Sequence, residues 1–184
     1  MRAAAVLLVL AWVVGGCSDD DGGDTPAVEA GDADITGVEI VRYEETGNLH
    51  RQGDITYDHL PPAGGLHNDV PARCGFYDEA IPDEYVVHSL EHGAVWLAYA
   101  PDLPAADVET IHDVVRGDDD TIASPYPGLD EGVAVVVSAW TRQLTLDSVD
   151  DPRLEQFVEA YLDGDQAPEG SVPCTGVGAG EPIP

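Results

Sequence analysis

The pattern of apolar and polar positions predicts several short strands in the second half of the chain. Continuous apolar runs over residues 94–99 and 133–140 are typical of buried strands, and residues 121–124 and 143–146 form shorter strand-like segments. The uninterrupted valine-rich part of the 133–140 run predicts a central strand that is covered on both faces of its sheet.

Two further segments have apolar residues at helical spacing. Residues 104–116 carry one apolar face. A second helix is predicted after Asp151, which is suited to the N-cap; Pro152 fits the first helical position, and Gly164 is placed to end the helix. The apolar stripe of the first helix is Val108, Ile111 and Val115, and that of the second is Leu154, Phe157, Val158 and Tyr161.

The order strand, helix, strand, strand, helix predicts an α+β fold. We expect a small, mainly antiparallel sheet with two helices packed on one face. A loop-rich segment of Pro, Gly, Asp and His, residues 47–84, precedes these elements and is expected to be irregular with short strands.

The first residues are typical of an exported lipoprotein. Arg2 precedes the apolar run 3–14, which is shorter than the roughly 20 residues of a membrane-spanning helix. The Val-Gly-Gly-Cys sequence ending at Cys17 resembles a bacterial lipobox, in which the cysteine is lipidated. We therefore expect a signal peptide at 1–16 and a lipid anchor at Cys17 on the extracytoplasmic face of the cell membrane. Ordinary cleavage and secretion is the alternative.

The composition then divides the remaining chain. Residues 18–35 contain much Asp, Gly and Ala and few large apolar side chains, so we predict an acidic disordered tether over residues 17–46. Residues 47–175 are long enough for a single domain with its own hydrophobic core. The Gly- and Pro-rich residues 176–184 are predicted to be a flexible tail.

The charge and the methionine content exclude some classes of partner. The formal net charge is −29, and all seven basic residues are arginines, which argues against nucleic acid and against an anionic membrane surface as partners. The only methionine is Met1, which is lost with a signal peptide. A chain without thioethers is poorly suited to bind Cu(I) through methionines.

Two cysteines remain once Cys17 is assigned to lipid. In an oxidising compartment Cys74 and Cys174 favour a disulfide. The alternative is that Cys74 serves as a thiolate metal ligand. The chain contains no Cys-x-x-Cys sequence, so a redox oxidoreductase motif is absent.

A set of short motifs resembles the bacterial family known as Domain of Unknown Function 3105. The resemblance extends from about residue 47 to 174 and implies a secreted or membrane-anchored domain of this size, without an established activity. The residues that carry it are His50, Tyr57, Pro61-Pro62-x-Gly-Gly-x-His67, Cys74-Gly-Phe-Tyr77, Val87-His-Ser-Leu-Glu-His-Gly-Ala-Val-Trp96, Ser124-Pro-Tyr-Pro127, Ala139-Trp140 and Pro168-Glu169.

The motif around residues 87–96 suggests a metal site. His88 and His92 share a face if this segment makes a helical turn, which is a common way to hold two imidazoles on one ion. His67 is a candidate third ligand and His50 a fourth, while Glu91 can ligate or orient a ring. Imidazole and carboxylate ligands favour Cu(II) or Zn(II). We therefore predict an exported transition-metal-binding domain whose protein partner the sequence does not identify.

Two alternatives stay open. In the first, the histidines form a structural hydrogen-bond network in a non-catalytic envelope interaction or adaptor domain; Glu91 would then pair with an arginine such as Arg73. Its recognition surface would be aromatic, formed by Trp96, Trp140, Tyr126 and Tyr77.

The second alternative is a small zinc-dependent hydrolase. His88-x-x-Glu91-His92 fits the H-x-x-E-H pattern, in which a distant glutamate, here Glu169 or Glu155, completes the site. The pattern requires a sustained helix, whereas the sequence after Gly93 resembles a strand. No Gly-x-Ser-x-Gly sequence surrounds Ser89, so we expect a structural hydroxyl there. An enzymatic function is therefore not the preferred interpretation.

Overall fold

The computed structural model describes residues 27–30, 35–43, 49–170, 172–174 and 178–183, and within them three helices and seven strands. The strands are β1 (Ala27–Ala30), β2 (Val38–Arg42), β3 (Gly75–Phe76), β4 (Val95–Tyr99), β5 (Thr121–Pro125), β6 (Val135–Ala139) and β7 (Arg142–Leu146). The helices are α1 (Asp83–Glu91), α2 (Ala105–Gly117) and α3 (Arg153–Tyr161). The strands form one sheet in the order β1-β2-β7-β6-β4-β5-β3.

The sheet is mixed and mainly antiparallel, which confirms the predicted α+β fold class. β4 and β3 pair with β5 in parallel, and the other neighbours are antiparallel. The parallel pair β4–β5 is joined through α2, as a parallel connection requires a crossover. β6 lies at the centre of the sheet with all its residues buried, as its continuous apolar run predicts.

The two faces of the sheet carry different layers because successive strand residues point to opposite sides. The face that receives Val95 and Leu97 packs against α2 and α3 through Ile111 and Phe157. These are the two helices predicted for one face. The opposite face includes Trp96 and packs against α1, which the sequence pattern did not predict as a full helix.

Helix α1 determines where the histidine motif lies. Pro82 is its N-cap, Asp83 and Glu84 occupy its first turn, and His92 is its C-cap residue. Acidic side chains in the first turn are favourable near the positive end of the helix dipole. The chain turns at Gly93, where φ is +106° and a Cβ atom would lie 2.8 Å from Oδ1 of Asp163. Glycine is therefore required at the junction between α1 and β4.

The sheet begins earlier than the predicted domain boundary at residue 47. β1 and β2 lie within the segment predicted to be a disordered tether, and β2 pairs with β7 while Val38 and Val41 are buried. Short strands of this kind are stabilised by pairing with an existing sheet edge, which composition does not reveal. The predicted signal peptide 1–16 and Cys17 lie outside the described residues. No helix in the described part is long and apolar enough to cross a membrane.

The end of the chain packs against the domain instead of forming a wholly flexible tail. The predicted disulfide between Cys74 and Cys174 is present, with 5.3 Å between the two Cα atoms. Beyond it, Ala179 forms a parallel bridge with Ala72, and Ile183 forms an antiparallel bridge with Phe76. The second bridge places the end of the described chain beside the edge strand β3.

Removal of the disulfide should destabilise the domain substantially. It joins residues 100 apart, and a loop of that length corresponds to about 3–5 kcal/mol in the chain-entropy description of the unfolded state. We expect the Cys74→Ser/Cys174→Ser variant to lose about this much free energy of unfolding, measured by urea denaturation. The reduced wild-type protein is the control and should unfold at the same urea concentration as the variant. Equal stability of the oxidised and reduced proteins would contradict the expectation.

Candidate metal centre

The loop before α1 brings two of the predicted ligands together. The His67 N–H donates to the Leu49 carbonyl at 2.9 Å, and the Arg51 N–H donates to the His67 carbonyl at 2.7 Å. These bonds form a short parallel bridge between His50 and His67, whose ring centroids are 4.9 Å apart. The pairing therefore places the two imidazoles side by side.

The last turn of α1 brings the remaining ligands to the same place. His88 lies one turn before His92, and their ring centroids are 4.5 Å apart. The His88 ring is also 5.0 Å from the His50 ring and 5.1 Å from the His67 ring. The structure thus brings the predicted ligands together in two overlapping groups, His50-His67-His88 and His88-Glu91-His92, and within each group the ligand atoms lie within 4.8 Å of one another.

Two backbone carbonyls orient the buried imidazoles. His67 Nδ1 lies 2.8 Å from the Gly65 carbonyl oxygen, and His88 Nδ1 lies 2.6 Å from the Asn68 carbonyl oxygen. A carbonyl only accepts hydrogen bonds, so each Nδ1 carries the hydrogen and each neutral ring presents the lone pair of Nε2 to the cluster. This second interaction is the usual way in which a metal-binding imidazole is held.

Only glycine fits at position 65. Its φ is +90°, and a Cβ atom there would lie 2.9 Å from the ring of Tyr43. A side chain would push the loop away from Tyr43 and displace the carbonyl that orients His67. The Gly-Gly pair in front of His67 is therefore part of the construction of the site.

Acceptor atoms converge at the centre of the cluster. His67 Nε2 lies 3.0 Å from Glu91 Oε2, which is also 3.7 Å from His50 Nε2. His88 Nε2 lies 3.1 Å from His92 Nε2. Although they are close, His67 Nε2 and Glu91 Oε2 are buried without any hydrogen-bond partner among the described residues. A lone pair that faces a carboxylate oxygen requires a proton or a cation between them.

Burial shifts the protonation of these groups towards their neutral forms. Desolvation lowers the pKa of His67 and of His88 below the ordinary value of 6.5. Desolvation, and then the nearby charge of Glu169, raises the pKa of Glu91. Both imidazoles are consequently neutral at physiological pH and free to donate a lone pair to a metal.

The interatomic distances suit a single ion. For a tetrahedral ion with ligand bonds of about 2.0–2.1 Å, neighbouring ligand atoms lie about 3.3 Å apart. The His67–Glu91 and His88–His92 separations of 3.0 and 3.1 Å are close to that value, and the ligand atoms of His88, Glu91 and His92 all lie within 4.8 Å of one another. His50 lies at the exposed side of this set, with 40% of its side chain accessible.

The structure adds a sixth residue to the cluster. Glu169 Oε2 lies 3.5 Å from His92 Nε2. The sequence suggested Glu169 only for the hydrolase alternative, together with Glu155. Glu155 lies exposed on α3, which packs on the opposite face of the sheet, so it does not reach the cluster.

Three features of the alternative interpretations are not found in the described residues. Cys74 is not a thiolate ligand because it is bonded to Cys174. Arg73 pairs with Glu181 and leaves Glu91 to the histidines. The aromatic surface of the adaptor alternative is not formed, because Trp96, Trp140 and Tyr77 are buried and Tyr126 is half-buried. The edge of the Trp140 ring instead contacts His67, with centroids 5.8 Å apart.

The oriented imidazoles give a spectroscopic prediction. In the metal-free protein the rings of His67 and His88 should be Nδ1–H tautomers at pH 7, because each Nδ1 donates to a carbonyl. Both should protonate only below pH 6.5, because burial lowers the two pKa values. Long-range ¹H–¹⁵N NMR spectra recorded during a pH titration report both properties. Nε2–H tautomers, or protonation at or above pH 6.5, would contradict the geometry.

Comparison with known proteins identifies the family of the chain. A family model described as "Protein of unknown function (DUF3105)" matches residues 49–176, which include every residue of the cluster. No match was found among curated proteins or among solved structures. The matched region covers more than half of the chain and agrees with the motifs from His50 to Glu169. The chain therefore belongs to the DUF3105 family.

Proposed function

We propose that this domain binds one divalent transition-metal ion, Cu(II) or Zn(II), through His67, His88, His92 and Glu91, with His50 at the exposed side. The observation that carries the proposal is the meeting of His67 Nε2 with Glu91 Oε2, two buried acceptors 3.0 Å apart without a hydrogen-bond partner. A cation bound between them removes the cost of burying both groups unpaired.

The chemistry of the ligands favours a borderline metal. Imidazole nitrogens are good ligands for zinc and copper, whereas calcium and magnesium prefer sites made of oxygen atoms. The absence of methionine after Met1 argues against Cu(I). We further propose that the domain acts at the extracytoplasmic face of the membrane, anchored through a lipid on Cys17. That part of the proposal is supported by the lipobox-like sequence alone.

A structural histidine network explains the cluster less well. In such a network each buried acceptor faces a donor, because unpaired polar groups are costly. The two carbonyls already use the Nδ1–H groups of His67 and His88, so neither neutral ring has a hydrogen left for the centre. Such a network requires a protonated Glu91 as the donor to His67 Nε2 and an Nε2–H tautomer of His92 as the donor to His88 Nε2, whereas one bound cation satisfies these acceptors together.

A zinc-dependent hydrolase is the second candidate, and one observation favours it. The H-x-x-E-H residues lie at the end of a true helix, α1, and Glu169 lies beside His92 as the distant glutamate of that pattern would. In such enzymes the central glutamate activates water. Here Glu91 is turned towards His67 and His50, which favours a role as ligand.

The proposal predicts loss of metal binding when the α1 ligands are removed. The wild-type protein should bind about one equivalent of Zn(II) or Cu(II) in isothermal calorimetry, measured on protein made without a histidine tag. The His88→Ala/His92→Ala variant should lose at least about a hundredfold in affinity, since loss of outer-shell support alone costs 10–100-fold. Circular dichroism should show that the fold is retained.

The matched control for this experiment is His112→Ala. His112 lies on α2, stacks on Phe76 with ring centroids 4.4 Å apart, and is remote from the cluster. It should bind metal as the wild type does. Undiminished affinity of the double variant, or equal loss in His112→Ala, would contradict a metal site at α1.

Metal binding should persist below the pH at which free imidazoles protonate. An imidazole must be neutral to bind a metal, and burial lowers the pKa of His67 and His88 from 6.5, so protons compete less well for these two ligands than at an exposed site. Zn(II) affinity measured between pH 5 and 7.5 should therefore fall with a midpoint below 6.5. A midpoint at or above 6.5 would indicate exposed ligands.

A further inference from the structure

The segment before Cys174 crosses the end of α1 at the proposed ligands. We define this strap as residues 165–170 and 172–174. The Glu169 N–H donates to the Glu91 carbonyl at 3.1 Å, and the Val172 N–H donates to the His92 carbonyl at 3.4 Å. Carbonyls at a helix C-terminus have no partner within the helix, so the strap supplies the donors that α1 lacks.

The far end of the strap is attached to the body of the domain. Cys174 is disulfide-bonded to Cys74, and its carbonyl accepts the Cys74 N–H at 2.9 Å. The Cys174 N–H donates to Asp120 Oδ1 at 3.0 Å. The strap is therefore attached to α1 at Glu169 and Val172 and to the body of the domain at Cys174. These attachments determine its position relative to α1.

This attachment holds the Glu169 carboxylate at the outer side of the cluster. Glu169 Oε2 is 3.5 Å from His92 Nε2, while 57% of the Glu169 side chain is exposed. The His92 side chain is 13% exposed and that of His67 is fully buried. Going outwards from His67, exposure thus rises through His92 to Glu169, which lies between the cluster and solvent on this side.

We propose that Glu169 is a further ligand of the metal site, an outer carboxylate that closes the site towards solvent and controls how fast the ion leaves. The inference rests on the proposed metal-binding function. An oxygen atom 3.5 Å from His92 Nε2 needs only a small side-chain movement to share an ion with it, because neighbouring ligand atoms on one ion lie about 3.3 Å apart. Since its side chain is largely exposed, Glu169 can detach without disturbing the buried ligands.

The experiment measures dissociation directly. Protein loaded with one equivalent of Zn(II) is mixed with excess chelator in a stopped-flow instrument, and the first-order release of zinc is recorded. We expect Glu169→Gln to release zinc about tenfold faster or more, while calorimetry still shows one ion per protein. Glu169→Asp keeps the charge on a shorter side chain, so its zinc release rate should lie between those of the wild type and Glu169→Gln.

Asp165→Asn is the matched control because it removes the same charge from an exposed position on the same strap. It should release zinc within about twofold of the wild-type rate. If Glu169→Gln and Asp165→Asn release zinc at the same rate, whether slow or fast, the proposed closing role of Glu169 is wrong. That result would not contradict the proposed histidine site. If the wild-type protein binds no zinc or copper at all, both proposals are wrong.

Discussion

Two hydrogen bonds from imidazole Nδ1 atoms to backbone carbonyls determine the chemistry of this domain. The Gly65 and Asn68 carbonyls use the only hydrogen that a neutral His67 or His88 ring carries. Every other atom that these rings offer to the cluster is then an acceptor. Glu91 Oε2 meets His67 Nε2 there, and both acceptors are buried without a hydrogen-bond partner among the described residues. The proposed cation would pair the two acceptors at once.

The rest of the fold keeps these acceptors in position. α1 packs against the sheet at Trp96 and against the loop that carries His67, and these contacts hold its last turn in place. Gly93 lets the chain leave α1 directly into β4, and the strap satisfies the carbonyls of Glu91 and His92. The disulfide between Cys74 and Cys174 then links the strap to the loop in front of α1. Stability and site geometry therefore depend on the same contacts.

The sequence predicts the regular part of this structure and misses the parts that depend on distant pairing. β4 and β6 follow from continuous apolar runs, and α2 and α3 follow from apolar residues at helical spacing. The apolar stripe of α1 is short, formed by Val86, Val87 and Leu90, and the other buried residues of the helix are polar, so periodicity alone does not reveal it. Pro82 followed by two acidic residues is a local signal of its N-terminus.

The cluster also has a part that the sequence predicts and a part that depends on contacts between distant residues. The spacing of His88 and His92 indicates a shared helical face, and this was sufficient to predict half of the cluster. The contact between His50 and His67 depends on a two-residue bridge, and the approach of Glu169 depends on the path of the chain towards Cys174. The Gly65 and Asn68 carbonyls carry no sequence signal because every residue has a carbonyl. Their role becomes visible only through the distances to the two Nδ1 atoms.

The position of the charges suggests how a cation would enter the proposed site. The chain carries a formal net charge of −29, and exposed carboxylates raise the concentration of any cation near its surface. This attraction does not distinguish zinc or copper from calcium or magnesium. The imidazoles of His67 and His88 do, because they lie in the interior and favour borderline transition metals over hard cations. Glu169 stands between the two regions, with an exposed side chain and a carboxylate beside His92. In the proposed site, surface carboxylates thus attract cations and the buried imidazoles select among them. The carboxylate of Glu169 lies between these two sets of residues.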